Sequence, residues 1–291
     1  MKFWQSTAFN DPMELPEIAK TADELGFEGI LFAEHLFLPE TYEPAYLYSE
    51  DGRPDFDTET PFPDPWVTIA TLAAHTKRIR FCTLIQILPL HHPIEVAKSL
   101  ATLALFSNDR VVLGAGAGWM KEEFEVMGVD FKKRGSRFNE MIEVMRKLWT
   151  GETVEHHGEF FDMPPLVQTP APARPIPILI GGASKAALRR AARLGDGWCG
   201  AGNSPEEAEQ ILTTLQKERK EAGRENEPFE AIVPLTTPPD ADTFKKMADL
   251  GATSSVNYPF KYTCGPDATL EQKLDMMKRF ADNVIGPFQD I

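Results

Sequence analysis

The chain has 291 residues, of which 42% are hydrophobic and 25% charged, with a formal net charge of −14 at neutral pH. That length can bury a substantial core and sits near the roughly 250 residues of a (β/α)8 barrel, so one large domain over residues 1–291 is expected. The acidic balance opposes nonspecific attraction to nucleic acid or anionic lipid, and no apolar run approaches the roughly 20 residues needed to cross a bilayer, so neither nucleic acid nor membrane is expected as a partner.

The chain starts MKFWQSTAFNDPM, with no sustained apolar stretch after the lysine and no small-residue cleavage site, and the expected location is the cytoplasm. KFWQS from Lys2 is the first of eight candidate strands, and LPEIAKTADELG, ending at Gly26, has the periodicity of the helix that follows. GILFA from Gly29 is the second strand. Residues 36–65, rich in proline, acids and aromatics, leave from its C-terminal end. A loop of that length inside a compact domain is a functional lid or a disordered segment, and a lid is the expectation here. RFCTLIQI from Arg80 is the third strand, followed by the helical HPIEVAKSLATLALFS; RVVLGAG from Arg110 is the fourth.

A second insertion, residues 151–176, contains VEHHGEFFDMPPLVQTPAPARP and predicts a short hairpin with a stiff proline-rich connector. PILIGG from Pro177, GWCGAG from Gly197, FEAIVPL from Phe229 and TSSVNY from Thr253 complete the eight strands. In SPEEAEQILTTLQKERKEAG, Ser204 is the cap, Pro205 the first helical residue and Gly223 the terminator. TLEQKLDMMKRFADNV closes the chain with Thr269 as its cap. The β-then-α repeat implies a parallel sheet with crossover helices, and the continuous apolar strands fit coverage on both faces. A doubly wound open sheet shares those features, but eight repeats at this length favour an α/β fold closed into a TIM barrel.

Cys82, Cys199 and Cys264 are odd in number and widely spaced, which supports neither a disulfide framework nor a metal site; they read as small buried hydrophobes. The pairs His91–His92 and His156–His157 lack zinc-site spacing, so no metal is expected, and no GxSxG elbow is present. Gly114, Gly116 and Gly118 follow the fourth strand without forming a GxGxxG fingerprint, and a tight turn explains them as well as a ligand does. Gly181, Gly182, Ala183 and Ser184 link an apolar strand directly to a helix, where free N–H groups and the positive dipole end make a phosphate site. Lys185, Arg189, Arg190 and Arg193 make this helix locally basic; most of these cations are expected to face solvent, with Lys185 near enough to the turn to meet a cofactor tail. His35, just past the second strand beside Glu34, is placed where barrel enzymes gather catalytic groups; from spacing alone a structural role fits it equally.

Taken together, AEHLF at Ala33, TLIQILPLHHPIEVAKSLATL at Thr83, RVVLGAGAGWMKEEF…RGSRFNEMIEVMRKLW at Arg110 and PILIGGASKAALRRAARLGDGW at Pro177 resemble the luciferase-like monooxygenase superfamily. The resemblance covers roughly residues 1–200. It implies a (β/α)8 barrel using either reduced FMN for oxygenation or the deazaflavin coenzyme F420 for hydride transfer. The SEDGRP segment before PDPW, with GAGW at the fourth strand, is similar to the F420-using branch, which makes F420 the first expectation and FMN the alternative. A noncatalytic barrel that binds a flavin is a further alternative.

Carried onto this chain, the resemblance places His35 near the reacting carbon. It also puts a non-prolyl cis peptide near Thr83, Leu84 and Ile85, sets Gly116 and Gly118 beside the ring, and lays the phosphate on Gly181, Gly182, Ala183 and Ser184. Some deazaflavin relatives carry an acidic glutamate where this chain has Trp119. That departure points away from a sugar phosphate and toward a flat, apolar small-molecule substrate in a pocket shaped by Trp66, Trp119 and Trp198. The resemblance also implies a homodimer.

Overall fold

A computed structural model describes residues 1–46, 49, 51–238 and 240–288; Leu47, Tyr48 and Glu50 of the first insertion lie outside the described residues. The apolar runs become strands at Lys2–Ser6 (β1), Gly29–Phe32 (β2), Arg80–Thr83 (β3), Gln86–Ile87 (β4), Val111–Gly116 (β5), Ile178–Gly181 (β8), Gly197–Cys199 (β9), Glu230–Val233 (β10) and Ser254–Asn257 (β11). Val154–His157 (β6) and Asp162–Leu166 (β7) form the antiparallel hairpin expected in the second insertion. The parallel strands run in the order β3-β2-β1-β11-β10-β9-β8-β5, and pairing of Phe81 with Val111 and of Cys82 with Val112 joins β3 to β5 and closes the ring. All eight expected strands are present, but the third is interrupted at Leu84–Ile85, after which Gln86 pairs with Ala115 as β4.

The helices follow in order: Leu15–Leu25 (α1), Pro65–Ala73 (α2), Pro93–Ser107 (α3), Lys121–Val126 (α4), Arg134–Leu148 (α5), Lys185–Leu194 (α6), Pro205–Glu221 (α7), Ala241–Asp249 (α8), Phe260–Thr263 (α9) and Leu270–Phe280 (α10). Their ends fall where the capping residues put them. Ser204 and Thr269 each form a capping box, with Glu207 and Gln272 respectively, and Gly26 ends α1 in the left-handed conformation. None of these helices, and no helix among the described residues, is long and apolar enough to cross a membrane.

Two main apolar layers result, with a small further cluster of Ile87, Leu90 and Phe124 beside them. The larger lies between strands and helices. The smaller fills the ring with one side chain from each barrel strand: Trp4, Leu31, Cys82, Val112, Leu179, Cys199, Ile232 and Val256. Trp4 dictates Gly29 on the next strand, since a Cβ there would stand 2.4 Å from the indole and 2.3 Å from the Arg80 carbonyl. Burial pushes the thiols of Cys82 and Cys199 well above the usual range, consistent with their reading as small hydrophobes; Cys264 is only half-buried.

At the N-terminal end of the ring Arg80 lies over the Trp4 indole at 5.4 Å and binds Glu28 at 3.0 Å and Glu230 at 2.9 and 3.0 Å. Burial works against that guanidinium's charge, yet Glu230 and Glu28 outweigh it and raise its pKa. In a barrel of this kind such a plug at the bottom serves stability and leaves the opposite rim free for chemistry.

Candidate active site

Because every strand of the ring is parallel, the segments leaving β2, β4, β5, β8 and β9 emerge on one rim. His35 follows β2 there, its side chain 8% exposed and its Nδ1 3.1 Å from Oε2 of Glu123 on α4. Glu123 is completely buried, and its other oxygen accepts the Leu36 N–H at 3.2 Å. A carboxylate at Nδ1 selects the tautomer protonated on that nitrogen, which leaves Nε2 as the group able to take up a proton.

The neighbouring Glu34 points elsewhere, as alternate residues at a strand end do. Its carboxylate accepts the Ile87 N–H at 2.7 Å and lies 3.0 Å from Nε2 of His91. Burial opposes the charge on His91, but Glu34, with Asp64 and Glu95 nearby, overcomes this and raises its pKa.

The first insertion wraps His35 in aromatic rings. Phe56 and Phe62 have ring centroids 5.1 Å from the imidazole, and Trp119 lies at 6.1 Å with Tyr46 and Tyr42 packed against it. The loop is pinned at both sides of the mouth. Glu43 N–H donates to Glu122 at 2.8 Å, and Lys261 pairs with Asp55 at 2.9 Å.

The peptide Leu84–Ile85 is cis, as the resemblance implied. Ile85 then projects into a gap that two glycines keep open: a Cβ on Gly116 would be 2.3 Å from its Cδ1, and one on Gly181 would be 2.5 Å from its Cγ2. Thr83 is fully buried, and its hydroxyl is committed to Gly114 by bonds of 2.7 and 3.1 Å. It braces the break from below and presents no side-chain group at the mouth. Gly118, at φ +77°, makes a turn packed closely between Ile87 and the Phe124 ring of α4, and so delivers Glu123. Its role is visible as a bend.

The glycine turn after β8 is open to solvent at Ala183 and Ser184. Gly182 takes φ +105°, and Ser184 caps α6 by accepting the Ala187 N–H at 3.2 Å. The preceding amides have no intrahelical acceptor, and the first turn of α6 contains no acidic residue, so its dipole is uncompensated there. Beside this turn, between α6 and α7, lies a cavity of about 710 Å³.

The three tryptophans expected in one pocket separate. Trp119 reaches His35, whereas Trp66 packs half-buried on the layer between strands and helices. Trp198 is a correction: it is completely buried in that same layer, with its indole N–H donating to the Gly182 carbonyl at 2.9 Å. Its contribution is to hold the glycine turn from behind. Glu123 was missed by sequence reasoning although it sits in the quoted GWMKEEF stretch. So were the Glu34–His91 pair, written as AEH and LHHP, and the insertion's rings Phe56, Phe62, Tyr42 and Tyr46.

A family model described as luciferase-like monooxygenase matches residues 3–253. An uncharacterized protein of Mycobacterium tuberculosis is 39% identical over 288 residues, covering 98% of this chain and 99% of that protein. An F420-dependent glucose-6-phosphate dehydrogenase of Nakamurella multipartita is 28% identical over 279 residues, covering 94% of this chain and 76% of the other. Among solved structures, monooxygenase RslO1 from Streptomyces bottropensis superposes with a TM-score of 0.77 at 20% identity, covering 99% of each chain, a likeness of fold.

Proposed function

The chain belongs to the luciferase-like monooxygenase family, and from that premise we propose that it exchanges hydride between coenzyme F420 and a small organic substrate, with His35 moving the accompanying proton. The observation that carries this reading is the geometry of one rim. His35 after β2, held by buried Glu123, Ile85 after β3 in its glycine-lined gap, and an open helix N-terminus after β8 all belong to the C-terminal rim of the ring. The relatives described as F420-dependent support F420 over FMN.

When bound, the deazaflavin supplies a carbon centre that carries hydride. The chain supplies the rest. Leu84 and Ile85 offer an apolar surface of the kind a flat ring needs, and Gly116 and Gly181 allow that surface to lie flush with the strand ends. The Gly182–Ser184 turn fits a phosphate, with the α6 dipole and free amides favouring an anion and the Ser184 hydroxyl able to donate. Glu123 steadies the imidazolium that forms when Nε2 takes a proton. The rings of Phe56, Phe62 and Trp119 exclude water from that transfer and favour a flat, apolar substrate.

Titration of the cofactor-free protein with F420 and with FMN, followed by absorbance and fluorescence, tests this. F420 is expected to bind at least about tenfold tighter, a difference of about 1.4 kcal/mol. Tighter binding of FMN, with oxygen consumed by the reduced complex, would replace hydride transfer by oxygenation; binding of neither would remove the cofactor reading altogether.

A further inference from the structure

The break between β3 and β4 is anchored twice to the end of β2. At its near side the Leu84 N–H donates to the Phe32 carbonyl at 2.6 Å, and at its far side the Ile87 N–H donates to Oε2 of Glu34 at 2.7 Å. Ile85, aimed between Gly116 and Gly181, is thus suspended between two anchors on the segment that runs directly into His35. The first anchor is a strand carbonyl. The second is a carboxylate only 4% exposed, and a carboxylate so buried needs a partner to keep its charge.

His91 is that partner. Its Nε2 stands 3.0 Å from Oε1 of Glu34, and the Gln86 amide is 3.5 Å from the same oxygen. The backbone of His91 is fixed independently. Arg137 on α5 donates to the Pro89 carbonyl at 2.9 Å and to the His91 carbonyl at 3.1 Å, with its guanidinium 4.6 Å from the Phe161 ring centre. Besides Glu34 and Arg137, the charged groups that act on the imidazole are Asp64 at the start of α2 and Glu95 in the first turn of α3. Burial opposes the imidazolium, but the three carboxylates outweigh it, so the histidine holds its proton to a higher pH than a free one. Once that proton leaves, Glu34 is a buried anion without a counter-charge.

We infer that Glu34 is a positioning residue, which together with protonated His91 fixes the Ile85 surface relative to His35 through the Ile87 amide, so that the cofactor ring is gripped more tightly while His91 is charged. The inference rests on the cofactor reading above, in which a flat ring lies on Leu84 and Ile85. Glu34 and His91 act through the backbone of the break, not by touching the ring.

The test is equilibrium titration, by fluorescence, of wild-type protein and His91→Gln with F420 at pH 5.5 and pH 8.5, at a temperature where both are folded. The ratio of the two Kd values is read at each pH, because the ligand's own titration cancels in it. Glutamine donates a hydrogen bond as neutral imidazole does but cannot carry the charge. His91→Gln is expected to bind about three- to tenfold more weakly at pH 5.5, where His91 is charged, and within about twofold of wild type at pH 8.5. Glu34→Gln should lose a similar factor at pH 5.5, and the double variant no more than Glu34→Gln alone, since the two side chains act as one pair. A pair that serves stability alone would shift Tm and leave the Kd ratio at one at both pH values. That result, or a ratio that stays constant or grows with pH, would overturn the inference with the cofactor reading intact. Failure of wild type and variants alike to bind F420 would overturn the cofactor reading itself, and the positioning role with it.

Discussion

An imidazole serves as an acid–base group only when one nitrogen is held and the other is free, and the 3.1 Å contact from Glu123 to Nδ1 gives His35 that arrangement. His35→Asn removes the proton carrier and is expected to lower kcat by about a hundredfold or more, the usual scale for a lost general acid–base, while the Kd for F420 changes by less than about threefold. Glu123→Gln, which keeps the volume but not the charge, should lower kcat by about tenfold with Kd again held. Steady-state kinetics beside cofactor titration checks both, and equal losses in kcat and affinity would make the pair a binding device.

The His91–Glu34 pair is read through stability. A histidine whose folded pKa is raised above its unfolded value, about 6.5, adds stability that is fully present below that value and is lost as pH climbs through the folded one. The Tm gap between wild type and His91→Gln should therefore be larger at pH 5.5 than at pH 8.5; a gap that is constant or grows with pH would contradict it. His35 was legible from its place at a strand end. Glu123 was not, because its contact with His35 spans 88 positions and depends on a glycine bend that periodicity does not encode.

Among the elements, the break between β3 and β4 governs the site, since it aims Ile85 between Gly116 and Gly181. A methyl group at Gly181 would overlap Ile85 at 2.5 Å, so Gly181→Ala is expected to destabilise by about 1–3 kcal/mol through overpacking. Much of that should return in the double variant with Ile85→Ala, which opens the space. Denaturant unfolding of the two singles and the pair measures it, and additive losses would show that the two side chains do not compete. The strands were legible as apolar runs and the helices as capped periodic segments, as Ser204, Thr269 and Gly26 show. The interruption in RFCTLIQI was not, because an unbroken apolar run carries no sign of where a chain must bend; only the resemblance placed a cis peptide there. The tryptophans failed for the opposite reason: composition marks Trp198 as a large aromatic, but strand phase decides which layer it enters, and it enters the outer one.

Over the whole molecule the two ends of the ring divide the labour. Arg80, Glu28, Glu230 and Trp4 lock the N-terminal end, which frees the other rim to expose a glycine turn, an open helix start and a histidine under a loop of aromatic rings. The net charge of −14 makes that unopposed helix dipole a local exception in an acidic protein. If the rim holds a phosphate-bearing deazaflavin, the anion must rest at Ala183–Ser184, and a negative charge placed there must repel it. The direct measurement is the Kd of Ala183→Asp for F420 and for the same ring system lacking the phosphate. F420 should lose roughly tenfold to a hundredfold, the worth of a charged hydrogen bond at about 1.5–3 kcal/mol, while the phosphate-free ring loses almost nothing. Equal losses for both ligands, or no loss for either, would contradict the docking on which the account rests.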